Sequence, residues 1–148
     1  MFTSGHAIRI SGLTYRQLDH VVRNGHVRPT HRGGTGRGTL RHFSARDLLA
    51  LRLAKELLAA GHRLRPFKSL LQFVQRGRGL PPLDKLQSAV LFSDPARIVA
   101  LGSEESQISA SQTRCFSYVV HLGPAAEHVR IGIERISRTA SQRRSSTA

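Results

Sequence analysis

The sequence predicts an α+β protein: a mainly helical first half, a small α/β unit behind it, and a basic tail. Three observations carry that expectation. Short helical patterns, opened by capping residues and closed by glycine, fill much of residues 4–75. Strand-like runs follow only after a Gly-, Pro- and Arg-rich stretch at 76–82, RGRGLPP. The charge divides at the same place, with 15 Lys/Arg against three acids in residues 1–79 and five against six in residues 80–136.

Thr3 or Ser4 caps a first helix over about 4–10, with Ala7, Ile8 and Ile10 apolar, and Ser11-Gly12 breaks it. Thr14 and Gln17 stand at capping-box spacing and open a second helix over about 14–24, with Leu18, Val21 and Val22 on one face. Gly25 ends it. Two short helices joined by a glycine-containing turn make a helix-turn-helix. The extended pieces His26–Pro29 and Thr39–Phe43 flank a glycine-rich turn, which reads as a β-hairpin, or wing, with Val27, Leu40 and Phe43 inward.

Ser44 and Asp47 form a second capping box before a Leu-rich helix carrying Leu48, Leu49, Leu51, Leu53, Leu57 and Leu58, which Gly61 ends. Another helix runs from about Pro66 to Gln75, with Phe67, Leu70, Leu71 and Val74 inward. The expected organisation is a winged helix-turn-helix domain over 1–76, a linker at 77–82, a small α/β domain over 83–136 and a disordered tail at 137–148. Within the third part, Ala89–Phe92 and Cys115–Leu122 read as strands, and Arg97–Leu101 as a strand or a short helix. Gly123-Pro124 opens a helix to about Ile136. The tail is poor in apolar residues, which argues for disorder.

Formal net charge is +14, and the sequence pI is about 11.7. Such a field attracts polyanions. Nucleic acid comes first and an anionic membrane surface second, and the concentration of cations in residues 1–79 favours nucleic acid. One cysteine, Cys115, permits no internal disulfide and fits a reducing cytosol. No apolar run has the length of a membrane span, and the N-terminal residues lack the apolar stretch of a secretory signal. The expected setting is cytoplasmic and nucleoid-associated, with no membrane partner.

The stretch ISGLTYRQLDHVVRNGHVRP, continued by GRGTLRHFSARDLLALRLAKELLAAGHRL, resembles the DNA-binding domain of the MerR family over residues 3–75. Gly12-Leu13-Thr14 matches the family's turn into the second helix. Asn24-Gly25-His26-Val27 stands where the family has x-Gly-Leu-Ile/Val. Arg41-His42-Phe43-Ser44 stands where it has Arg-x-Tyr/Phe-Ser/Thr, and Asp47 precedes the Leu-rich helix. The sequence departs from the pattern at Val21, an aromatic position in the family, and at Asp19, where Arg is usual. It also lacks a heptad-bearing helix after residue 76, and one cysteine cannot supply the paired thiolates of metal-responsive members.

The resemblance implies a double-stranded DNA-binding transcription regulator whose second helix enters the major groove. The expected DNA-binding residues there are Thr14, Tyr15, Arg16, Gln17 and His20. Arg16 suits guanine and Gln17 adenine, while Tyr15 suits phosphate or a thymine methyl. The wing contributes Arg32, Arg37 and Arg41 with His31 and His42. Arg28, Arg46 and Arg63 or Arg65 extend the phosphate footprint. The glycines at 33–38 lack the Gly-Lys-Ser/Thr ending of a phosphate loop. Cys115, His121 and His128 are too scattered for a metal site, and His121 with Glu127 is the nearest approach to an acid–base pair. Neither an enzyme nor a cofactor is expected. Residues 83–136 are expected to form a homodimer or to take a small-molecule or protein effector. The competing functions are an architectural DNA-binding protein on tandem sites, excisionase-like or a partition-site factor, and an RNA-binding protein.

Overall fold

Capping chemistry sets the first half of the chain. The computed structural model describes residues 1–33, 40–93, 98–103 and 118–146. A two-residue strand β1 (Phe2–Thr3) leads into α1 (Ser4–Ser11), where Thr3 Oγ1 accepts the His6 N–H. Helix α2 (Tyr15–Arg23) opens with the expected box: Thr14 Oγ1 accepts from Gln17 N at 3.1 Å, and Gln17 Oε1 accepts from Thr14 N at 3.0 Å. Gly25, at φ 70°, closes it, because the Gly25 and His26 N–H groups must turn back to Val22 O and Val21 O. That left-handed geometry suits glycine.

Strands β2 (His31–Arg32) and β3 (Arg41–Phe43) pair antiparallel, His31 opposite His42 and Arg32 opposite Arg41, while β1 lies on the other edge of β3. Arg37, at the expected hairpin tip, is outside the described residues. Of the three side chains expected inward, Val27 and Phe43 are fully buried but Leu40 is 67% exposed. Side chains alternate along a strand, so Leu40, three positions before Phe43, shares the outward face with His42.

Helix α3 (Ala45–Ala59) buries Leu48, Leu49, Leu51 and Leu53, and a 3-10 turn at Arg65–Phe67 precedes α4 (Lys68–Arg76). Beyond a second such turn at Leu83–Lys85 come β4 (Ala89–Ser93), β5 (Ile98–Ser103) and β6 (Tyr118–His121). They form an antiparallel sheet in the order β5-β4-β6, with Leu91 opposite both Leu101 and Val120. The ambiguous segment at 97–101 thus contributes a strand. Residues 104–117, including Cys115 and the start of the expected third strand, are outside the described residues.

The last helix, α5, runs from Gly123 to Ser146. It therefore continues through residues 137–146 of the segment expected to be a disordered tail. Low apolar content removes packing there but not backbone bonding. No Gly or Pro follows Gly132, and the hydroxyls of Thr139, Ser141 and Ser145 turn back onto carbonyls one turn earlier.

One contiguous cluster of buried side chains joins both halves, from Ala7 and Ile10 through Leu49 and Leu71 to Leu91, Ala125 and Val129. The 77–82 stretch takes part: Leu80 is buried in the cluster, and Arg46 Nη2 donates to Pro81 O at 2.5 Å. Helix α5 lies against α1 and α3. At its crossing with α1, a Cβ on Gly132 would stand 3.0 Å from Ile10 Cγ1. Among the described residues no helix is long and apolar enough to cross a membrane.

Candidate nucleic-acid interface

The amphipathic pattern of α2 buries Leu18, Val21 and Val22 and turns the opposite face outward. Thr14, Tyr15 and Arg16 are exposed at its first turn, Tyr15 at 66%. Gln17 is half-buried, and its carbonyl is engaged by the capping box, so its amide group is the part left to donate. His20 is exposed, with Nδ1 lying 3.1 Å from Asn24 Nδ2. Val21, an aromatic position in the family, is core here.

The hairpin is strapped to this helix. Arg41 Nη2 donates to Asp19 Oδ1 at 3.0 Å, and Asp19 Oδ2 also holds Arg23 Nε at 2.9 Å. The Arg41 side chain is only 17% exposed. Its guanidinium is committed to Asp19, which explains an acid where the family has Arg. Arg41, expected as a wing cation for DNA, ties β3 to α2 through this pair. Glu56 bonds Arg52 Nε at 3.1 Å, and the third acid, Asp47, is buried. Each of the three carboxylates of residues 1–79 is thus already bonded within the chain, and three acids cannot offset the 15 Lys/Arg there.

Asp47 organises the loop between α2 and β2. Its Oδ2 accepts from Ser44 N, Thr30 N and Thr30 Oγ1 at 2.9, 3.0 and 2.6 Å, and its Oδ1 accepts from Gln75 Nε2 at 2.7 Å. Gln75 bonds the backbone of Arg28 through both its amide oxygen and nitrogen. Gln72 Nε2 donates to Gly25 O at 3.3 Å. Helix α4 therefore braces residues 25–30, holding Arg28 and Arg32 with Arg23 around a groove of about 540 Å³. Arg23, which the sequence did not single out, lines this groove, and its i,i+4 spacing to Asp19 on the same helix face accounts for their ion pair.

Arg46 does not join this surface. Its guanidinium is turned to Pro81 O, and burial lowers its pKa. Its Nη1 is buried with no hydrogen-bond partner among the described residues. His31 is exposed and His42 half-buried, opposite one another in the ladder, while Arg63 and Arg65 are exposed before α4. His26 is buried at the end of α2, its ring 6.4 Å from that of His20. Burial first, then the charges of Lys68 and His20, push its pKa below 6.5. In the second half, Glu127 bonds Arg130 rather than His121. No group of three metal-ligating side chains occurs among the described residues.

An exposed first turn on the second of two short helices, with a basic hairpin ladder tied beside it, defines a helix-turn-helix module. Residues 2–73 match the family described as MerR HTH family regulatory protein, and this stretch is a MerR-family helix-turn-helix domain. Proteins of Mycobacterium bovis and Mycobacterium tuberculosis, both described as uncharacterized HTH-type transcriptional regulators, are 34% identical to the chain over 106 residues. That stretch is 72% of this chain and 45% of each relative, so the match spans less than half of their length.

Proposed function

We propose that the chain is a sequence-specific, double-stranded DNA-binding regulator of transcription that works as a homodimer. The observation that carries this reading is the Asp19–Arg41 strap, which sets the β2–β3 ladder beside the exposed first turn of α2. In a winged arrangement of this kind Tyr15 and Arg16 enter the major groove, with Thr14, Gln17 and His20 at its edge. Arg28, Arg32 and Arg23 meet phosphates on one side, and Arg37 reaches the backbone or minor groove from the hairpin tip. The names of the mycobacterial relatives support regulation of transcription. The role is binding rather than catalysis, in a cytoplasmic, nucleoid-associated setting. Residues 83–136 supply the dimer contact, where β5 and β6 form the edges of the small sheet.

The test is selection of bound sites from genomic and random duplexes, sequenced at two salt concentrations, with the protein's mass followed by sedimentation. A recurrent symmetric motif that survives the higher salt, bound by a dimer, is the expected result. Tandem motifs bound by an array would replace it with an architectural role. No motif, with binding that collapses at the higher salt, would leave phosphate contact alone and make RNA the next ligand to try.

A further inference from the structure

We propose that the groove between α1 and α5 is a binding site for an amphipathic organic anion, with a carboxylate head and an elongated apolar body. This inference does not rest on the DNA-binding reading. The groove encloses about 740 Å³, within the range of roughly 300–1,000 Å³ usual for small-molecule sites. Its floor is apolar: Ile10 from α1, with Ile131, Ile136 and Ala140 from α5. Gly132 is what allows α1 to close one side, since a Cβ there would press on Ile10. From His128 to Arg143 the lining positions of α5 recur every three or four residues. They form one continuous face about 22 Å long at the helical rise, longer than α1 can cover with its eight residues.

The rim is basic. Arg9, Arg135 and Arg143 line the groove with His6 and His128, and no acid among the described residues does. Both acids of α5, Glu127 and Glu134, are bonded to Arg130. No carboxylate among the described residues pairs with Arg9 or Arg135, on opposite walls, so both are placed to bind an anionic head. Charge also selects between occupants. A second copy of the chain would bring the same cations to the same face, whereas a carboxylate on an apolar chain satisfies both rim and floor.

The experiment is calorimetric titration of the full chain with oleate below its micelle concentration, using oleyl alcohol as the neutral analogue. Saturable binding of one oleate per chain is expected. Affinity should fall at least about tenfold for oleyl alcohol and for the Arg9→Gln/Arg135→Gln variant. Ala140→Trp, which fills the exposed end of the groove, should also weaken oleate without changing the melting temperature. Absence of oleate binding, or equal binding by wild type and both variants, would overturn the proposal. So would a dimer that Ala140→Trp converts to monomer while oleate leaves it intact, because the groove would then be an interface between copies.

Discussion

Asp47 and His26 show how single buried polar groups steer this fold in opposite ways. Asp47 accepts hydrogen bonds from Ser44, Thr30 and Gln75 while 1% exposed, so its removal takes the shared acceptor from several donors that are themselves only partly buried or exposed. We expect Asp47→Ala to cost about 2–3 kcal/mol, read as a lowered urea midpoint. A loss below about 1 kcal/mol would mean that the loop at 28–30 is held by other contacts. His26 acts through protonation. Its folded-state pKa lies below 6.5 because burial, Lys68 and His20 disfavour the charged ring. The unfolded chain therefore takes up the extra proton as pH falls below that value. The His26 contribution is fully present above pH 6.5 and is lost as pH falls toward the folded-state pKa. In His26→Leu, the residue type the family carries there, the acid-side decline in stability should be shallower. Parallel stability–pH curves for the two proteins would remove His26 from this role.

At the level of elements, the arginines of the first half divide between two tasks, although in sequence they look alike. Arg16, Arg28 and Arg32 are exposed on α2 and the braced loop-and-strand segment, whereas Arg46 is folded back onto Pro81. Replacing any of the first three with Ala should weaken DNA binding. For each that neutralises a phosphate, the slope of log affinity against log salt should flatten by about one. Arg46→Ala should leave that slope unchanged and lower thermal stability instead. Binding titrations at several salt concentrations separate the two classes. Breaking the strap is a different lesion. Arg41→Gln should loosen the hairpin and lower specific affinity while the non-specific component stays nearly constant. Equal losses on specific and random duplexes would make Arg41 an ordinary phosphate ligand.

For the whole molecule, the decisive feature is that α5 completes a core begun by the helix-turn-helix. Ala125, Ala126 and Val129 are buried in the same cluster as Ala7, Ile10 and Leu49. The tight crossing at Gly132 leaves no room for a larger side chain without displacing Ile10. Gly132→Val should destabilise the whole chain by about 1–3 kcal/mol, and the melt should remain a single transition. Two transitions, with only the second half shifted, would show that the two parts fold independently.

Much of the first half was legible because its information is local. Thr14/Gln17 and Ser44/Asp47 announce helix starts, Gly25 and Gly61 announce their ends, and Leu18, Val21 and Leu48 mark inward faces. None of these needs a distant partner. The extent of α5 was not legible, because poverty in apolar residues argues against packing yet says nothing about the backbone bonding of a run that holds neither Gly nor Pro after Gly132. Leu40 was misplaced because the strand's phase is set by Phe43 and not by hydrophobicity. The sequence by itself determined the helix-turn-helix and its positive charge. Only the tertiary structure decided which arginines remain on the surface, since Arg41 and Arg46 are withdrawn by Asp19 and Pro81. Those partners lie 22 and 35 residues away, and only folding brings such groups within hydrogen-bonding distance.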